Sequence, residues 1–169
     1  MSDERVFEEA PSDPSHASLG FGGAAAASVD VKTRAIGRKR NGYGKALGDV
    51  LLQNGQTVTS VVRDNLTTAF QGAGYQVAAS ESGAGPAALV ADVHIKDFWA
   101  WFQPGFWELT LSTNITTDVQ FAGAAAPMTI TVHAEDKRQM ATESAWTEII
   151  DRALTDYRAK ATAAAASLH

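Results

Sequence analysis

The sequence predicts an α+β fold with two layers: an antiparallel sheet of four to five strands and two helices packed on one of its faces. Three observations carry that expectation. Two stretches, Val58–Phe70 and Trp146–Tyr157, place apolar residues at spacings of three and four, the stripe of an amphipathic helix. Three stretches alternate apolar and polar residues with period two, the mark of half-buried strands: 89–96, 107–121 and 128–135. Two apolar helix stripes need an apolar surface, and one face of such a meander supplies it. The 169 residues suit a single domain with a sizeable core.

The expected boundaries are a disordered tether over residues 1–26 and one α+β domain over residues 27–169. In the first segment Pro11 and Pro14 sit among Ser, Asp and Glu, and glycines lead into a run of alanines. That composition offers little apolar surface to offset the entropy of ordering, although Phe7, Leu19 and Phe21 could dock. Val29, Val31, Thr33 and Ala35 alternate with Asp30, Lys32 and Arg34, which predicts a strand. Asn41-Gly42 predicts a turn, and residues 45–56 read as loop. Thr57 is the expected cap of the first helix, which ends at Gly72 and Gly74. Tyr75–Ala79 reads as a short strand before a loop from Ser80 to Pro86. In the meander, pairing apolar with apolar predicts Val93 opposite Ile115, Leu89 opposite Val119, and Val119 opposite Ile130. Thr142 or Ser144 is expected to cap the last helix, whose alanine-rich end, Ala163–Ala166, should fray.

Composition excludes several function classes. Without cysteine there are no disulfides, thiolate zinc sites or cysteine nucleophiles. Lys+Arg number 14 against 19 Asp+Glu, a net charge of −5 that gives no electrostatic case for nucleic acid. No stretch approaches the roughly 18 apolar residues of a membrane span, and the charged start, Ser2-Asp3-Glu4-Arg5, does not read as a signal peptide.

Ile36-Gly37, then Arg40-Asn41-Gly42-Tyr43-Gly44, Val62-Arg63-Asp64-Asn65-Leu66 and Gly72-Ala73-Gly74-Tyr75-Gln76-Val77 follow one another along the chain. With the meander and the terminal helix, these motifs resemble the YajG-type family of bacterial envelope lipoproteins over about residues 28–160. The resemblance implies a secreted protein, lipidated on an N-terminal cysteine and held on the periplasmic side of the outer membrane. This chain carries no cysteine, so it is expected to begin after the lipidated residue, with the acidic Pro/Ser segment as the following tether.

The candidate sites are few. Asp92, His94 and Lys96, with His133 and Glu135, share the polar sheet face, but the expected register puts His94 and Glu135 on either side of the central strand. About 10 Å then separates them, too far to share a small ion. No HExxH, Walker or Ser/His/Asp spacing occurs, so neither an enzyme, a metal nor a cofactor is indicated. Arg38, Lys39 and Arg40, beside Asn41 and Tyr43, make a basic turn suited to an anionic ligand; a solvated loop is the alternative. The aromatic run around the Gln103-Pro104-Gly105 turn is the most unusual feature. Strand parity puts Trp99, Trp101 and Trp107 toward the helices and Phe98, Phe102 and Phe106 on the opposite face. Phe98, Phe102 and Phe106, with Trp101, are the expected partner-binding residues, since clustered exposed aromatics mark contact surfaces. The expected function is a non-enzymatic scaffold or partner-binding module of the envelope, binding another envelope protein or a second copy. The alternative is a carrier for an apolar or lipidic ligand between helices and sheet.

Overall fold

The computed structural model describes residues 1–20, 22–41, 45–78, 85, 88–140 and 142–168. Its strands are β1 (Ser2–Asp3), β2 (Ala35–Arg40), β3 (Ala46–Leu51), β4 (Ala91–Pro104), β5 (Leu109–Phe121) and β6 (Met128–Arg138). The helices are α1 (Gly23–Ala26), α2 (Val29–Arg34), α3 (Val58–Gly72) and α4 (Glu143–Ala166). The α+β class holds, but the sheet is mixed and has six strands, in the order β3-β2-β4-β5-β6 with β1 also beside β4. Both β1 and β2 run parallel to β4. The path from β2 to β4 goes through β3 and α3, the kind of long crossover that a parallel neighbour requires.

The two long helices form as their sequences dictate. Thr57 caps α3 reciprocally: its hydroxyl accepts from the Ser60 N–H at 3.1 Å, and the Ser60 hydroxyl accepts from the Thr57 N–H at 2.9 Å. Thr142 caps α4 by accepting from the Ala145 N–H. Val58, Val62, Leu66 and Ala69 of α3 meet Trp146, Ile149, Ala153 and Tyr157 of α4 over one sheet face. The alanine-rich end of α4 does not fray: Ala161 and Ala165 are fully buried and the helix runs to Ala166.

The expected strand at Val29–Ala35 is instead helix α2 followed by β2. The Ser28 hydroxyl accepts from the Val31 N–H, and Asp30 pairs with Arg34 at 2.8 Å one turn on. These local helix signals outweigh a short alternating run. Residues 46–51, expected as loop, form edge strand β3. Of the expected strand at Tyr75–Ala79, residues 75–78 form none, and Ala79 lies outside the described residues.

The meander is present with a different register. Val93 faces Val119, Ile115 faces Phe98, and Met128 and not Ile130 faces Val119. The β4–β5 connection is short, with Pro104 paired to Leu109 and the Gly105 N–H donating to the Glu108 carbonyl at 2.7 Å. Turn geometry thus sets the register that apolar matching had assigned otherwise. A shift between Ile95 and Asp97 leaves Lys96 as an extra residue, and every later side chain of β4 changes face. Phe98 and Ala100 therefore lie under α3 and α4, while Trp99 and Trp101 lie on the opposite face. This reverses the expected parity.

That opposite face is covered by the segment expected to be a tether. Ser2–Asp3 pairs with His94–Ile95, and Leu19 is 1% exposed against Trp99, Trp101 and Ala35. Phe7 meets the Trp99 ring edge-on at 6.2 Å, and the Trp99 indole N–H donates to the Pro14 carbonyl. Arg5 fastens the segment. Its guanidinium forks onto both Asp3 oxygens at 2.8 Å and donates to the carbonyls of Lys32, Ala35 and Phe98. A polar segment is ordered here because specific partners satisfy its polar groups. The folded region therefore starts near residue 2 and not at residue 27.

Candidate functional site

Strand direction decides what gathers at each end of the sheet. β2 is parallel to β4 with Gly37 level with Ala100, so Arg40 and Asn41 lie at the end where β4 turns into β5. β6 is antiparallel to β5 and pairs Arg138 with Leu109, which brings its C-terminal end to the same place. Three parts of the chain converge there: the adjoining ends of β2 and β3 at Arg40 and Ala46, the β4–β5 tip and the start of the β6–α4 loop.

At the tip, Phe106 is 89% and Trp107 85% exposed, and their rings meet edge-on at 4.8 Å. Leu47 on β3 and Met140 after β6 are also exposed at this end. Of the residues expected to bind a partner, Phe106 is placed on the surface. Phe98 is fully buried beneath the helices, and Trp101 is 6% exposed beneath the N-terminal segment, so neither is offered to a partner. Phe102 is half-buried, edge-on to Trp146 at 6.3 Å. Trp107, expected in the core, is exposed, because strand alternation does not extend through a turn.

The basic residues split between the two faces of β2. Arg38 and Arg40 both donate to the Ser18 hydroxyl on the face covered by the N-terminal segment. Burial and the neighbouring Arg38 charge lower the pKa of Arg40. Lys39, on the other side, lies 3.5 Å from Glu143 at the start of α4. Asn41 closes the turn, its side-chain oxygen accepting from the Lys45 N–H at 2.9 Å and its N–H donating to the Lys45 carbonyl. Tyr43 lies outside the described residues. A surface cleft of about 170 Å³ separates the turn from β4, lined by Ser12, Pro14, Arg40, Asn41, Phe102 and Pro104. Gly37 is required where β2 meets β4: a Cβ there would stand 2.7 Å from the Ala100 carbonyl oxygen.

The histidines do not converge. His94 pairs with Asp118 across β4–β5, whereas His133 pairs with Asn114, well along the strands. His133 contacts Glu135 at 3.1 Å and Asn114 at 2.7 Å. Among the described residues, no group of three His, Asp or Glu could hold a metal ion. Near β1, the Ser2 hydroxyl and the Glu4 carboxylate both reach the same ring nitrogen of His94, Nδ1, at 3.0 and 2.5 Å. A proton relay needs the two different ring nitrogens, so this cluster acts as a clasp. Lys96, then His94, by hydrogen bonding to Glu4, lower its pKa to about 2. Asp97, just past the bulge, is pushed up to about 6 by burial, against the lowering effects of Asn114 and Arg5.

A carrier would need room between helices and sheet. Trp146, Tyr157 and Phe98 fill that layer, none more than 3% exposed, and the Tyr157 hydroxyl bonds Thr117 at 2.6 Å. The larger described cleft, about 260 Å³, lies elsewhere, between the N-terminal segment and the bulge, lined by Arg5, Glu8, His16 and Asp97 among others. No family model, curated protein or solved structure matches the chain.

Proposed function

We propose that this chain is a non-enzymatic docking module that engages a partner through the loop end of its sheet. The observation that carries the reading is the pair Phe106 and Trp107, almost fully exposed on a short hairpin turn, where the fold gains little from burying them. Aromatic anchors contribute disproportionately to association, and an exposed apolar cluster at one end is the ordinary mark of a contact surface. The partner-binding set is accordingly Phe106 and Trp107, with Phe102 at its margin. The sequence resemblance adds the setting: the periplasmic side of the bacterial outer membrane, a lipid anchor on the full-length form, and an envelope protein or a second copy as partner. The net charge of −5 argues against nucleic acid.

The test is the double substitution Phe106→Ser and Trp107→Ser. Both side chains are exposed, so stability should change by no more than about 0.5 kcal/mol. Retention of detergent-solubilised envelope proteins on the immobilised chain, or self-association in sedimentation velocity, should be lost. Undiminished association of the double variant would overturn the docking reading.

A further inference from the structure

From the gathering of exposed apolar side chains on one strand end and two connections, we infer that the loop end of the sheet docks on an anionic lipid surface. Leu47, Phe106, Trp107 and Met140 are 61–89% exposed and come from β3, the β4–β5 tip and the β6–α4 loop. They share nothing in sequence; only the parallel β2–β4 pairing and the antiparallel β5–β6 pairing bring them to one end. The inference rests on the docking reading above for its surface and puts a lipid surface where that reading put a protein or a second copy; it is independent of an N-terminal anchor. β1 lies beside His94 and Ile95, about 30 Å along β4 from the tip.

Two features favour a lipid surface over a protein. Protein anchors fill pockets within a packed patch with a polar rim, whereas these side chains are spread over the start of β3, a hairpin tip and a strand-to-helix loop. Trp is also a residue that settles at the headgroup level of a bilayer, and Phe106 beside it adds apolar area to bury. Charge supplies the second feature. The whole chain is acidic at −5, and at its loop end Lys39, Arg40, Lys45, Lys137 and Arg138 stand among Glu108, Asp136, Glu143 and Glu148, so the cation offered to a headgroup is the unpaired one. Lys137 is paired with Glu108, Arg138 with Asp136 and Glu148, and Lys39 with Glu143. Lys45 is exposed at the turn with no ion pair among the described residues. Basic residues flanking an apolar tip are the arrangement that anionic headgroups attract.

The experiment is co-sedimentation of the full chain with phosphatidylcholine vesicles, with and without phosphatidylglycerol. The chain should pellet with phosphatidylglycerol vesicles and much less with phosphatidylcholine alone. Phe106→Ser with Trp107→Ser should lower partitioning by at least tenfold, and Lys45→Glu by roughly thirtyfold, as the charge changes by two units. Raised salt should weaken binding. No pelleting with either vesicle, or equal pelleting of parent and double variant, would overturn the lipid inference. If vesicles fail while the double variant still loses a protein partner, the docking reading stands and the occupant is a protein. If both fail, the docking reading falls as well.

Discussion

Replacing Arg5 with alanine tests whether residues 1–20 belong to the fold. The Arg5 side chain is 2% exposed and that of Asp3 19%. Alanine would remove both bonds of the fork onto Asp3 and the donors to the carbonyls of Lys32, Ala35 and Phe98. Breaking one partner out of a buried ion pair typically costs about 3–5 kcal/mol. Because Ser2–Asp3 is a strand of only two residues, paired with His94 and Ile95 alone, it is able to peel into water and relieve part of that cost. The lower figure, about 3 kcal/mol, is the expected loss, a large share of the 5–15 kcal/mol that typically holds a domain together. Lysine should rescue little, since one ammonium cannot reproduce a planar fork and its remaining donors. Urea unfolding followed by far-UV circular dichroism measures the loss. Tryptophan emission should shift red in the folded variant, because the peeled segment uncovers Trp99 and Trp101. A loss below about 0.5 kcal/mol with unchanged emission would refute the reasoning and return the segment to a tether.

Asp97 links the same region to pH. Its folded pKa of about 6 lies above the ordinary 3.8, so its contribution to stability is complete below about pH 4 and lost as pH rises through 6. Asp97→Asn should therefore stabilise the protein by about 2–3 kcal/mol at pH 7 and by little at pH 4, measured by urea unfolding at both values. Glu4 has the opposite sign: its pKa is lowered to about 2, so the clasp with His94 and Lys96 holds above pH 4.5 and weakens toward pH 2. Hydrogen exchange at the Glu4 amide, which donates to the Ile95 carbonyl at 2.9 Å, should show progressively lower protection over that range. Gly37→Ala should lower the melting temperature markedly, because the added Cβ meets the Ala100 carbonyl at 2.7 Å and the Trp146 ring at 3.4 Å; an unchanged melt would mean that β2 and β4 separate easily. Tyr157→Phe should cost about 1–2 kcal/mol in chemical unfolding, since the fully buried Thr117 hydroxyl loses its partner.

The parts legible in the sequence were those set by local periodicity. Helices α3 and α4 declare themselves through spacings of three and four, with Thr57 and Thr142 as caps, and β5 and β6 through long alternation. The register was not legible, because Pro104, Gly105 and the closure to Glu108 fix it, and a single extra residue at Lys96 exchanges the faces of Phe98 and Trp99. The N-terminal segment was misread because composition averages over residues: Arg5, Phe7 and Leu19 are few, but each has a specific partner on the sheet. α2 was hidden because its alternating run reads with period two, whereas its helical conformation is supported by the Ser28 cap and the Asp30–Arg34 pair, which periodicity does not register. For the candidate site, the aromatic run singled out the β4–β5 hairpin, where Phe106 is exposed. Trp107 was misplaced by carrying strand parity through a turn. Leu47 and Met140 have no local signal at all, since only the strand directions bring them to the same end of the sheet as the tip.

On the proposed docking reading, Trp107 is a tryptophan that the fold does not use and docking does. Fluorine NMR of the chain labelled with 5-fluorotryptophan tests it most directly, because the 4 tryptophans give separate signals. Trp99, Trp101 and Trp146 are 1%, 6% and 3% exposed, against 85% for Trp107. One signal, absent from Trp107→Phe, should show a full solvent isotope shift, and phosphatidylglycerol vesicles should shift or broaden that signal first. A shielded Trp107 in the isolated chain, or vesicle-induced changes confined to Trp99 and Trp101, would contradict the account.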